Sequence, residues 1–396
     1  MTRWSQPFAA WAVAWALCSS LPCAADTTSR ASIAGDPCEA RWDAAAEQAL
    51  VWEHPTGFAL PQGLAVDARG LLHVAMKSAG VQTFSTRGGP AIGQVPRAKL
   101  DNLDAMHLTL VGSRLYVALG SFFSASGEHA GLAILDVSQP RAPLVLGVWR
   151  SDEKLKGAAT VAIDGAHAYL GAMSAGVMVL DVSNPANIRK LTTFQPDIHF
   201  PRRNPSRIGH PNARGLAIAA GKLWVAYDAG GLRVLDISQP ARPREVSRYI
   251  NSKMIGKQQA YNNLVIHAGT AYVGVDYAGL EILDVKNPGA IRQIGWWNPW
   301  SAEKPSNLWF NCPGHVNQVE FDARLRRVYL SAGDSELQVV DVANPAQPRL
   351  VQRYGSPGNK QGVWGLGIDD DRVYLSYIRA AIPFNANWSG IRAVQR

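Results

Sequence analysis

The sequence predicts an all-β fold: a seven-bladed β-propeller with four antiparallel strands per blade. Two observations carry this. The first is a motif that recurs along the 396 residues: GLAILDVSQP from Gly131, GVMVLDVSNP from Gly176, GLRVLDISQP from Gly231, GLEILDVKNP from Gly279 and ELQVVDVANP from Glu336, with shorter copies GVQTFS from Gly80 and GIRAVQ from Gly390. The residues at its sixth position, Ser85, Asp136, Asp181, Asp236, Asp284, Asp341 and Gln395, stand 51, 45, 55, 48, 57 and 54 residues apart. Self-similarity at such a period marks a repeat architecture. The second is the texture inside each unit. In the third, short apolar runs at 161–163, 167–172, 177–181 and 188–194 are separated by Asp164-Gly165, by the turn at 174–176 and by Asn184-Pro185. Short apolar runs bounded by turn residues read as strands and hairpins, and no useful helical periodicity follows residue 60. Four strands repeated seven times suit a propeller.

In chain order, residues 1–25 read as a secretory signal peptide. Arg3 supplies a positive start, residues 8–17 (FAAWAVAWAL) an apolar stretch too short to span a bilayer, and Cys23-Ala24-Ala25 a small-residue end. Leu17 precedes Cys18 and Pro22 precedes Cys23, where a lipoprotein signal needs a small residue, so lipidation is not expected. No later stretch has the ~18 apolar residues of a membrane helix. Residues 26–48 form an extension in which 39–48 reads as a short helix, with Pro37 near its start. Residues 49–52 (ALVW) resemble the fourth strand of other units, such as PLVLGVW from Pro143, while the seventh copy supplies only three strands, at 366–368, 373–377 and 391–394. The N-terminal strand is expected to complete the last blade and remove a free sheet edge, so that the propeller occupies 49–396. Signal removal takes away Cys18 and Cys23 and leaves Cys38 and Cys312 in an oxidising compartment. A single Cys38–Cys312 disulfide and two buried thiols are both open there.

The repeated G-x-x-x-L-D-V-S-N-P resembles the LVIVD-repeat family across about residues 60–396. The resemblance implies a propeller-like fold in an exported bacterial or archaeal protein, periplasmic or secreted. The family carries no general catalytic motif, so it transfers no catalytic residue. This chain departs from the pattern at Ser85 and Gln395, and at the missing Pro of both outer copies. The repeated Asp residues end strands three or four residues before a Pro, where a carboxylate caps its own turn, so they are read as builders of the fold rather than as a ring of ligands.

Function is therefore sought where the repeats disagree. The first strand of each blade lines the channel, and the connections from strand four to one and from two to three share one face. On that face lie the long insertions 195–213, with Arg202, Arg203, Arg207, His199 and His210; 250–260, with Lys253 and Lys257; and 298–316, with Trp300, Trp309, Phe310, Cys312 and His315. Loops on one rim of a rigid scaffold are where binding concentrates. Just before the first strands the seven units place Gln62, Met106, Ala159, Arg214, Asn262, Asn317 and Trp364, followed by Gly63, His107, Thr160, Gly215, Asn263, Gln318 and Gly365. A channel mouth bearing Gln62, His107, Arg214, Asn262, Asn263, Asn317, Gln318, Trp364 and Trp309 suits a small polar or anionic ligand. The competing reading is a wet channel whose polar residues bind only water.

The formal net charge of +8 falls to +7 without Arg3. Nucleic acid is not expected, since no recognition motif appears. No cofactor is expected, and no close His or Cys spacing supports a metal. The leading expectation is an exported, monomeric binding module for a small polar or anionic ligand or an envelope protein. One rival is a lyase or hydrolase with His107, His210 or His315 as acid or base beside Arg214, and an aromatic platform of Trp300, Trp309 and Trp364. Another is an envelope adhesion or assembly component.

Overall fold

The computed structural model describes residues 45–123, 127–202, 211–308, 312–380 and 384–396. They build seven sheets arranged as the blades of a β-propeller, six of four strands and one of five, with no α-helix among the described residues. In blades one to seven the inner strands are Leu64–Asp67, Ala105–Val111, Thr160–Asp164, Gly215–Ala219, Tyr261–His267, Gln318–Asp322 and Val363–Ile368. Blade three shows the plan: Thr160–Asp164, His167–Gly171, Val177–Asp181 and Arg189–Phe194 pair antiparallel in sequence order. These strands lie within two residues of the runs expected from sequence.

The motif works through local chemistry. Its apolar strand is buried on both faces, as in Val177–Asp181, because each blade is packed on either side by a neighbour. The closing Asp caps the turn that follows: Asp136, Asp181, Asp236, Asp284 and Asp341 each accept from the backbone N–H two residues on, at 2.8 to 3.3 Å. Ser85 does the same with its hydroxyl for Arg87 N–H, so the first departure from the pattern keeps the cap. Asn184 and Asn287 then cap the short 3-10 turns Pro185–Asn187 and Pro288–Ala290.

Seven hydrophobic clusters occupy the seven interfaces between adjacent blades, including the one between blades seven and one. Each fully buried Leu, Ile or Val contributes roughly 1.5–3 kcal/mol. A second repeated device appears one strand out from the channel. Ala65, Thr109, Ala162, Ala217, Val265, Glu320 and Gly367 on the inner strands lie directly across from His73, Tyr116, Tyr169, Trp224, Tyr272, Tyr329 and Tyr374. A small residue inside leaves room for a ring on the neighbouring strand, and Glu320 alone breaks this rule with a charge.

Leu50–Pro55 pairs antiparallel with Gly390–Gln395, so the N-terminal strand completes blade seven as expected. Trp52 ties it to blade one by donating its ring N–H to the Thr86 carbonyl at 3.0 Å. The helix expected over 39–48 is corrected where it can be compared. Ala46–Glu47 is a strand, paired parallel with Gln352 and Arg353 on the outer edge of blade six, and Gln48 N–H donates to the Arg353 carbonyl at 2.8 Å. The open sheet edge supplies backbone partners that outweigh the helix propensity of an Ala/Glu-rich segment. Residues 39–44, Cys38 and the signal segment lie outside the described residues.

Candidate functional site

The mouth of the channel is set by the residues that lead into the inner strands. His107, Arg214, Asn262, Asn263, Asn317, Gln318 and Trp364, all singled out from sequence, line one chamber of about 30 Å³ together with Met106, Ala159 and Phe122. Gln62 is fully buried but is not part of that lining, and its amide donates to the Leu60 carbonyl at 3.4 Å. His210 and Trp309 lie outside the described residues. Trp300 is wholly buried against Trp297, with ring centroids 5.6 Å apart, so it is a core residue and not a binding platform.

The amides at the mouth are oriented by the neighbouring blade. Asn262 Nδ2 donates to the Val316 carbonyl at 2.7 Å, and Asn317 Nδ2 to the Val363 carbonyl at 3.4 Å. Their Oδ1 atoms are left buried with no hydrogen-bond partner among the described residues. Asn263 Oδ1 accepts from Val319 N–H at 3.3 Å and Gln318 Oε1 from Leu366 N–H at 3.0 Å, which turns their NH₂ groups away from those bonds. Buried amide oxygens without donors cost free energy until a donor arrives. Burial without a compensating charge lowers the His107 pKa to about 4, so its ring is neutral at pH 7. Its Nδ1 also has no hydrogen-bond partner among the described residues.

Arg214 supplies the one charge among the described residues that line the chamber. Among the described residues it has no ion-pair partner, and its guanidinium lies 5.5 Å from the Phe122 ring centroid and 5.8 Å from that of Trp364. These rings belong to an aromatic cluster over the mouth, where Phe123 and Phe384 lie 5.2 and 6.1 Å from Trp364. The cluster continues to His315, 5.3 Å from Phe384 and 6.0 Å from Trp364. His315 Nδ1 lies 2.6 Å from Asp276 Oδ1, and both residues are buried. Burial raises the Asp276 pKa, while His315 and then Arg214 pull it back. Asp276 and Tyr277 also form a wall of a neighbouring 460 Å³ pocket, between the insertions that carry Met254, Lys257, Asn307 and Leu308.

Inward from the chamber runs the central channel, of about 540 Å³, sharing His107, Asn263 and Gln318 with it. Most of the side chains along it are aliphatic, although the surface it exposes is more polar than apolar, and Glu320 is the one acidic residue among the described residues lining it. Sequence reasoning missed Glu320. Aligning the residues two places past Gly63, His107, Thr160, Gly215, Asn263, Gln318 and Gly365 would have exposed it, as aligning the residues before these exposed Arg214. Burial pushes the Glu320 pKa up to about 7.

On the outer rim, the insertion after blade three is held by Arg233, which is fully buried. It donates to the carbonyls of Gly230, Asp197 and Phe200 at 2.8 to 3.1 Å and pairs with Glu245. Arg202 lies there beside His199 and Arg248, while Arg203 and Arg207 lie outside the described residues. No group of three or more His, Cys, Asp or Glu suited to a metal occurs among the described residues, and no helix among them is long and apolar enough to cross a membrane. His73 is buried, with Nδ1 2.9 Å from Thr83 Oγ1, in keeping with a packing role.

The family model for the LVIVD repeat matches residues 157–192, 212–251, 262–295 and 328–356. Comparison with curated proteins finds no match. Among solved structures the chain is similar to the RRP9 WD40 repeats (14% identity, TM-score 0.62, covering 89% of this chain and 99% of that one). It is also similar to U3-55K (12% identity, TM-score 0.63, 89% and 100%) and to a chain of the mitotic checkpoint complex (11% identity, TM-score 0.59, 95% and 96%). These likenesses are of fold.

Proposed function

The chain is an LVIVD-repeat β-propeller, and from that premise we propose that it is an exported binding module that takes the polar or anionic end of a small ligand at its channel mouth. One observation carries the reading. Arg214, with no ion-pair partner among the described residues, lines a chamber whose remaining polar groups are neutral and partly unsatisfied. The chamber has room for a carboxylate-sized group or a few waters. A carboxylate there accepts from Arg214 and from the amide NH₂ groups of Asn263 and Gln318. A hydroxyl or amine beside it would donate to the orphaned oxygens of Asn262 and Asn317. Phe122 and Trp364 give the site an apolar roof.

A thermal-shift screen against small carboxylates, acidic sugars and envelope metabolites tests this, because selective binding to the folded state raises its melting temperature. Arg214→Gln is expected to weaken a ligand so found by roughly ten- to a hundredfold, the equivalent of one charge-assisted hydrogen bond. Unchanged affinity in a folded variant would remove the mouth from consideration.

The same reading takes residues 1–25 as the export signal and joins Cys38 to Cys312, which is buried at 4% exposure in the core between blades five and six. Intact mass of the exported protein reads both features directly. A second reading, lyase or hydrolase chemistry, is favoured by the 2.6 Å approach of Asp276 to His315 beside the mouth. Prolonged incubation with the ligand, followed by NMR, separates the two. An unchanged ligand supports the binding module, whereas turnover lost in His315→Asn supports the enzyme.

A further inference from the structure

We infer that the channel holds a zwitterionic ligand lengthwise, its anionic end at Arg214 and its cationic end at Glu320. This rests on the mouth reading above and names its ligand class. Among the described residues that line the chamber and channel, two are charged, one positive at the roofed end and one negative further in. His107, the other titratable residue of these walls, is neutral at pH 7.

Glu320 is the residue whose ring-mates are Ala65, Thr109, Ala162, Ala217, Val265 and Gly367, so small side chains leave space at its level. In the other blades the space beside the inner residue is filled by a ring on the second strand. Tyr329 fills it here, fully buried and held by a bond from Arg396 Nε to its hydroxyl at 3.0 Å. The longer glutamate is left to the lumen. Among the described residues Glu320 makes no hydrogen bond or ion pair, and burial opposes its ionisation. An ammonium group beside it would offset that opposition, as a carboxylate would satisfy Arg214. Arg214 in blade four stands at the level of Asn317 in blade six, three residues before Glu320, so the backbone levels of the two residues differ by about 10 Å at the strand rise. Most side chains between them are aliphatic and offer contacts to a short methylene spacer, although the exposed wall is more polar than apolar, and a 540 Å³ channel accommodates one.

Calorimetric titration of the full chain tests this with 4-aminobutyrate, 6-aminohexanoate and 8-aminooctanoate, each set against the carboxylate of the same length and against hexylamine. At least one amino acid is expected to bind tenfold or more tighter than its matched carboxylate. Glu320→Gln is expected to erase that ratio while leaving carboxylate affinity within about twofold. Arg214→Gln should weaken both classes, and thermal melts confirm that the variants are folded. Carboxylates that bind through Arg214 with no gain from the amine, or with a gain that survives Glu320→Gln, would overturn the zwitterion inference and leave the mouth reading standing. Hexylamine binding as tightly as 6-aminohexanoate would overturn it too. No binding by any probe would overturn both.

Discussion

Glu281 is a carboxylate enclosed in the third strand of blade five, where its bonds come from neutral groups. Asn251 Nδ2 donates to it at 2.7 Å and the Tyr261 hydroxyl at 3.4 Å. Burial outweighs these bonds and pushes its pKa up to about 7 from an ordinary 4.5. Below pH 4.5 the folded and unfolded carboxyls are both protonated, and the stabilisation this represents is complete. Between pH 4.5 and 7 the unfolded chain ionises while the folded one keeps its proton, so stability falls as pH rises. Above pH 7 the loss is complete, at about 3 kcal/mol for a shift of this size. Glu281→Gln has no such titration. Denaturant unfolding at pH 5 and pH 8 should show the variant gaining on the native protein by up to about 3 kcal/mol at the higher pH, and parallel behaviour would refute the burial argument. Residues of this kind were poorly legible in the sequence. The motif Asp residues were read correctly because a turn cap is satisfied within two residues. Glu281 stands inside GLEILD as an ordinary strand residue, and its partners come from the insertion thirty residues before it (Asn251) and from the start of the inner strand twenty residues before it (Tyr261).

Elements were more legible than residues, because each strand is written in a local apolar run and each turn in Gly, Asn, Asp or Pro. What escaped was how blades dock on one another. Gly93, Gly147 and Gly295 occupy equivalent places in the outer strands of blades one, two and five, and each faces the carbonyl of Pro140, Pro185 or Pro345 in the next blade's motif turn. A methyl group at any of the three would overlap that oxygen. The motif proline thus marks a docking point as well as a turn, and glycine is the residue that admits close approach. Blades three and four have Thr192 and Ser247 at the corresponding place. Gly295→Ala is therefore expected to cost about 1–3 kcal/mol as an overpacking change. Thr192→Ala should cost less than 1 kcal/mol, since that place already carries a side chain. Equal melting temperatures for the two variants would show that the interface yields without strain. The same scale explains why Ala46–Glu47, at the end of the helix expected over 39–48, is a strand. Its composition favours a helix, but an unpaired edge in blade six was invisible until the ring was assembled.

At the scale of the whole molecule, seven interblade cores form a ring in which each blade is held by two neighbours, and closure rests on one strand from the far end of the chain. This was legible because a count of strands, three in the seventh copy and one spare at the N-terminus, leaves one arrangement without a free edge. The mouth was partly legible for a related reason, since repeats align side chains at one level of the channel. Its roof was not, because Phe122, Phe384 and His315 reach Trp364 from loops with no common register. Removing Leu50–Pro55 should expose Gly390–Gln395 along its length and cut the Trp52 bond to Thr86. A chain beginning at Thr56 is expected to melt more than about 10 °C lower than the full propeller, the shift produced by several kcal/mol in a domain of this size, and to associate through the open edge. A chain beginning at Ala49, compared under reducing conditions so that the proposed Cys38–Cys312 bridge is absent from both proteins, loses among the described residues the parallel pairing and the Gln48 bond on blade six. It should remain monomeric on size exclusion and melt within a few degrees of the parent. If both truncations melt alike, closure by the N-terminal strand is not what holds the ring. If only the longer one fails, the first and last segments of the chain hold the ring closed and keep the channel walls in register.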